Sequence, residues 1–207
     1  VTIASAVFAL AVLLNYKKIS KWLAVVLSLV ILITSAMPSM GANVGGAISE
    51  CVAYLLFILL IFDVKLDLKK IIMIGVATVL VVVAFAGLDF LMGTESHLAV
   101  FTNQIIQEGP AAIINTFGRK IQMNMKLAKS SVWVNILIVS IVIIGALIFK
   151  PSGYFKKIHD RYPMIFKGFM ASFVGCIVTL LVNDSGIVAA STAAIYILIP
   201  LIIISIN

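Results

Sequence analysis

Seven continuous apolar runs divide the chain: Val1–Leu14, Trp22–Ala36, Ala47–Phe62, Ile71–Met92, Trp133–Phe149, Pro163–Val182 and Ile187–Ile206. None alternates with a period of two, so each predicts a helix in lipid and not a barrel strand. Ile71–Met92 is long enough to span with some tilt. Val1–Leu14 would be about 21 Å long, short of the ~30 Å hydrocarbon core. It has no basic start and no cleavage site after it, so it does not look like a signal peptide. It is expected to be the tail of a longer helix, which makes the chain a fragment of a larger protein. Few polar residues enter the runs: Glu50 near the start of the third, Asp89 near the end of the fourth and Lys167 near the start of the sixth. Pro200 is a candidate bend in the last.

The connections carry charge in alternation. Lys17, Lys18 and Lys21 follow the first run, and Lys65, Lys69 and Lys70 follow the third. Lys150, Lys156, Lys157 and Arg161, with Lys167, follow the fifth, where Pro151 and Gly153 predict a loop. Met37–Gly46 and Asn183–Gly186 hold no basic residue, while the long Gly93–Ser131 holds Arg119, Lys120, Lys126 and Lys129 together with Glu95 and Glu108. The positive-inside rule then places the basic connections and the C-terminus in the cytoplasm. It places Gly41–Gly46, Gly93–Ser131 and Asn183–Gly186 outside. Trp22 stands where an interfacial anchor belongs.

Three polar stretches are candidates for chemistry. In Gly93–Ser131, Pro110 suits the first turn of a helix. Beyond it Ile114, Phe117, Ile121 and Met125 recur at three- and four-residue spacing, and Asn115, Arg119, Gln122, Lys126 and Lys129 recur on another face. That predicts an amphipathic interfacial helix, its apolar face toward lipid or the bundle and its basic face toward water and lipid phosphates. A helix packed on the bundle with a merely solvated basic face explains the same pattern. Arg119 is the best phosphate ligand by its fork geometry, and Lys120, Lys126 and Asn124 are further candidates. His97, with no second histidine nearby, reads as an ordinary polar residue. In Gly41–Gly46 (GANVGG), Gly41, Gly45 and Gly46 let the backbone come close to a ligand, and the amides opening the third helix could form an anion nest with Asn43 beside them. Close helix packing explains the same glycines.

Asn183-Asp184-Ser185-Gly186 (NDSG) breaks two long apolar runs. A carboxylate at a membrane boundary is costly to desolvate, so Asp184 is a candidate proton carrier, ion ligand or partner for a cation such as Arg119. Asn183 and Ser185 would add hydrogen bonds. A tight turn explains the same residues, since Asn and Asp favour turns and Gly frees the backbone.

Composition agrees with the runs. The 207 residues are 63% hydrophobic and 11% charged, where soluble domains are near half and a quarter. The Lys and Arg behind the net charge of +7 concentrate in short loops, which implies orientation in a membrane and no nucleic-acid partner. Cys51 and Cys176 read as small buried hydrophobes, not a disulfide or metal pair. No HExxH, paired-histidine, GxSxG or cysteine–histidine arrangement is present, so neither a catalytic set, a metal site nor a cofactor is expected.

GANVGGAI after an apolar run, then SHL, RKIQMNMKL and NDSGIVAAS before the last run, resemble the C-terminal membrane part of a group of bacterial membrane proteins. That group carries an alkaline-phosphatase or sulfatase superfamily domain earlier in the chain. The resemblance spans most of Met37–Ser191. It implies a bacterial plasma-membrane protein with an extracytoplasmic hydrolase-like domain or partner upstream of Val1, and it transfers no catalytic residue. The expectation is therefore an all-α polytopic bundle of about seven spanning segments, the first incomplete, forming a single domain over 1–207. Residues 93–131 would be its extracytoplasmic interfacial segment. An outward polar site would bind, move or present an anionic envelope or lipid-phosphate substrate among membrane lipids. A membrane-embedded phosphatase or phosphotransferase part, and a structural anchor, are the alternatives.

Overall fold

The computed structural model describes residues 2–37, 40–41, 44–92, 97–109, 111–149 and 154–206. Asn43, Pro110, Lys150, Pro151 and Gly153 lie outside them, as do the side chains of Asp89 and His97. Every regular element among the described residues is a helix: α1 (Thr2–Asn15), α2 (Lys21–Ala36), α3 (Val44–Ile61), α4 (Leu68–Met92), α5 (His97–Glu108), α6 (Ala111–Ser130), α7 (Trp133–Phe149), α8 (Tyr154–Arg161), α9 (Pro163–Val182) and α10 (Gly186–Ile206).

All seven apolar runs are helical, close to their expected bounds. Four helices are long and apolar enough to cross a membrane alone: α3, α4, α9 and α10. A fifth span is available if α6 and α7, which meet at 100°, are counted together. The seven expected spans are therefore seven apolar helices of unequal length. α1 and α2, at 14 and 16 residues, measure about 21 and 24 Å. Two helices were not foreseen. α5 lies inside the polar segment, and α8 occupies the expected loop after the fifth run. Its Ile158 is buried, and tertiary packing of that kind stabilises an eight-residue helix that would not form alone. α10 runs through Pro200.

α9 is the central post. It packs most extensively on α3 and α1, then on α10. A Cβ added at Gly175 would lie 2.9 Å from the Ala53 Cβ of α3 and 2.8 Å from the Ile3 Cγ2 of α1. One at Gly168 would lie 2.7 Å from the Ala11 Cβ. Gly45 opposes Asn183 at the other end of the same seam. Residue numbers rise on α1 and α3 as they fall on α9, so α9 is antiparallel to both. Lipid gives helices little hydrophobic reason to associate, so small residues that let backbones approach supply packing contact instead. The outer faces are apolar: Ile72, Val76, Leu80 and Val83 of α4 are all exposed from the protein, as a helix facing hydrocarbon requires.

The bundle end opposite the Gly45–Asn183 contact is basic. α1 and α3 both finish in Schellman turns: Lys18 N–H bonds Leu13 O and Lys17 N–H bonds Leu14 O, while Val64 N–H bonds Leu59 O and Asp63 N–H bonds Leu60 O. The left-handed residues are Lys17 and Asp63, at φ 53° and 58°. Asp63 holds three helices together there. Its carboxylate accepts from Lys167 Nζ of α9 at 2.5 Å and pairs with Lys21 Nζ of α2 at 3.6 Å. The hydrogen bond from Lys167, then the charges of Lys167 and Lys21, hold the Asp63 carboxyl below its usual range. A lowered carboxyl stabilises the fold above the unfolded value and loses that effect as pH falls below it.

Gly175→Ala is expected to destabilise the bundle by about 1–3 kcal/mol by overpacking against Ala53. Gly75→Ala, where nothing lies within 4 Å, should be neutral or slightly stabilising. Thermal unfolding in detergent, read by dye labelling of the buried Cys51 and Cys176, measures both. The same assay should show Asp63→Asn lowering the midpoint at neutral pH. It should also show a shallower decline than the wild type below about pH 4, the ordinary carboxylate range.

Candidate functional site

A chain that breaks between two helices leaves carbonyls at one helix end and N–H groups at the start of the next without partners. The break between α9 and α10 is such a place, and α6 fills it. Asn124 Nδ2 donates to Leu180 O and Asn183 O, both at 3.3 Å. Its Oδ1 accepts from Ile187 N–H at 3.1 Å. Lys120 Nζ donates to Val182 O at 2.8 Å and pairs with Asp184 Oδ1 at 3.2 Å. A cation at the carbonyl end of a helix is also favoured by the helix dipole. Asn183 turns its own amide back to Thr179 O at 3.3 Å. Ser185 opens α10, its backbone carbonyl accepting from Ala189 N–H at 2.9 Å.

α10 then ties down the corner between α6 and α7. Ser191, fully buried, donates its hydroxyl within reach of Trp133 O at 2.8 Å and Ile187 O at 2.5 Å. Leu127 of α6 and Trp133 of α7 pack on Leu137, Ile187 and Ala190. The NDSG turn is thus the joint where α6, α7, α9 and α10 meet.

GANVGG comes to the same joint from α3. Val44, Gly45 and Gly46 form the first turn of that helix. A Cβ at Gly45 would lie 2.6 Å from Asn183 Oδ1, so the glycine is what lets Asn183 sit there. Gly41 lies against the backbone carbonyl of Ser35 near the end of α2. The two motifs are thus in direct contact at one end of the molecule.

α6 has three strips. Ala112, Thr116, Lys120, Asn124 and Leu127 are turned inward or part-buried. Ile114, Phe117, Ile121 and Met125 are exposed together on a second strip, and Asn115, Arg119, Gln122, Lys126 and Lys129 on a third. The two expected faces exist, and neither docks. A narrower strip between them does. Arg119 and Lys126 consequently stand away from the NDSG joint. Asp184 is 69% exposed, so its pair with Lys120 is of the weak, solvent-screened kind.

The structure brings together Gly45, Lys120, Asn124, Asn183, Asp184 and Ser185, with Gly41 and Gly46 close along the chain, and leaves Arg119 and Lys126 outside. Sequence reading passed over Ser191 as a ligand of the joint, because a serine in an apolar run has no distinguishing pattern. Among the described residues no group of three His, Cys, Asp or Glu side chains is placed to hold a metal. Comparison of the chain with protein-family models, with curated proteins and with solved structures finds no match.

Asn124→Ala leaves three backbone groups without partners and is expected to cost about 1–3 kcal/mol. Asp184→Asn should change stability little, because Lys120 keeps its bond to Val182 O. Gly45→Ala should be milder than Gly175→Ala, because an Asn side chain can rotate away while the Ala53 Cβ cannot. Midpoints from the same thermal assay rank the three.

Proposed function

We propose that this chain is part of a bacterial plasma-membrane protein that holds an anionic lipid headgroup, or a lipid-linked phosphate, at the outer membrane surface and presents it to an extracytoplasmic enzyme. The three-strip α6 carries the reading. Its inner strip is bonded to the bundle, its apolar strip is free to enter lipid, and its cationic strip is free to meet phosphate. The 100° turn into the apolar α7 suits a helix that lies in the interface and then leads into the bilayer. In this reading all seven apolar runs lie in lipid, the basic end with Asp63 and the C-terminus are cytoplasmic, and α6 is extracytoplasmic. Arg119 and Lys126, with Lys129, contact the phosphate. Lys120, Asn124, Asn183 and Asp184 fix the helix that carries them. The glycines of GANVGG support that joint through packing. The resemblance to membrane parts that follow a phosphatase or sulfatase-like domain supplies a natural recipient for what is presented.

A second reading, a structural membrane subunit, is favoured by one observation: Lys120 and Asn124 are already bonded to backbone, which leaves them little capacity for a substrate.

Native mass spectrometry of the protein extracted from mixed anionic and zwitterionic bilayers separates the two. Replacing Arg119, Lys126 and Lys129 together by Gln should cut retention of anionic lipid. About 1 kcal/mol per cation sets an upper bound of about a hundredfold. Unchanged retention in a variant with a wild-type unfolding midpoint leaves only the structural subunit.

A further inference from the structure

Glu50 stands in the second turn of α3, about 9 Å along the helix from its first residue. It is 2% exposed, and among the described residues its Oε2 has no hydrogen-bond partner. Tyr54, one turn further on the same face, is also 2% exposed, with an unpartnered hydroxyl. Two orphaned polar atoms one turn apart are unusual, because buried polar groups are almost always satisfied. In a helix surrounded by lipid the cost is greater still, and an intramembrane carboxylate marks a functional position by default. Glutamine or leucine would fill the same space without an ionisable group. What glutamate adds is the capacity to take up and release a proton.

The groups around it favour that use over others. Ser35 of α2 is a polar side chain beside the carboxyl. Cys51 of α3 faces Thr78 of α4, whose hydroxyl already donates to Ile74 O. α9 turns small residues toward α3. The lysines Lys21 and Lys167 belong to the opposite end, bound to Asp63. Oxygens from Glu50, Ser35 and Tyr54 are too few for a calcium shell of six to eight or a magnesium octahedron. The GANVGG end of α3 is the end of that helix nearer to Glu50. Gly46 lies one turn above Glu50 on the same face of α3, and Gly41 lies against the Ser35 carbonyl.

We propose that the Glu50 carboxyl is a proton-binding site inside the bundle, with Ser35 and Tyr54 as its polar neighbours. The site is independent of the headgroup reading of α6.

Dicyclohexylcarbodiimide, an apolar probe that reacts with protonated carboxyls in membranes, tests it on the full chain in nanodiscs. The carboxyl oxygen adds to the carbodiimide carbon, and the carboxyl proton passes to its nitrogen. The adduct then rearranges to a stable acylurea, so peptide mass spectrometry finds one added carbodiimide. Label is expected on Glu50 at about pH 6 and about tenfold less or lower at about pH 9, since one titrating group changes tenfold per pH unit at its limit. Asp63 and Asp184, exposed to water, should stay unlabelled. Glu50→Gln should lose the label. If that variant does not fold, the wild-type pH series still decides. No label on Glu50 in folded protein at low pH overturns the proposal. Equal labelling across the pH range also overturns it, because the proton would then be a permanent part of the structure.

Discussion

Backbone polar groups at a break between two helices must find partners outside the helical ladder, and at the α9–α10 break this protein supplies them from side chains of α6. Asn124 serves two carbonyls and one N–H, and Lys120 serves a third carbonyl. Without them the hairpin would have to rise into water or lose the last turn of α9. With them, the joint stays near the end of the bundle and becomes the attachment point of α6. The orientation of α6 follows, since the residues that dock are Lys120 and Asn124. The apolar and cationic strips on either side are then left exposed.

The opposite end is held differently. Asp63 is in a left-handed backbone conformation that glycine would adopt at less cost. It stays aspartate because its carboxylate joins the end of α3 to Lys167 of α9 and Lys21 of α2. Between the two ends runs the small-residue seam of α1, α3 and α9. One end is fixed by exposed ion pairs, which salt and acid weaken. The other is fixed by bonds to backbone, which they affect less. Glu50 lies between the joint and the seam, in a part of the core where close packing gives way to unsatisfied oxygens.

Much of the architecture could be read along the chain. In lipid the length of an apolar run is nearly the whole of the local rule, which is why the seven runs match seven helices. The alternation of lysine-bearing connections agrees with the antiparallel arrangement of α9 against α1 and α3. Periodicity also located α6 and both of its exposed faces. α5 and α8 escaped because short helices made of polar residues owe their existence to what they pack on.

The sequence by itself determined the helical class, the apolar segments, the basic end and the polar stretches that matter. These depend on composition and spacing, which are local. Only the tertiary structure decided that Gly45 touches Asn183, that Lys120 and Asn124 serve the α9–α10 break while Arg119 and Lys126 do not, and that Glu50 is enclosed. Those facts depend on which residues distant in sequence are brought within a few ångströms by helix packing. Asn124 and Arg119 look equally polar on a helical wheel. They part company because the inward strip of α6 is chosen by the hydrogen-bonding needs of a turn about sixty residues away.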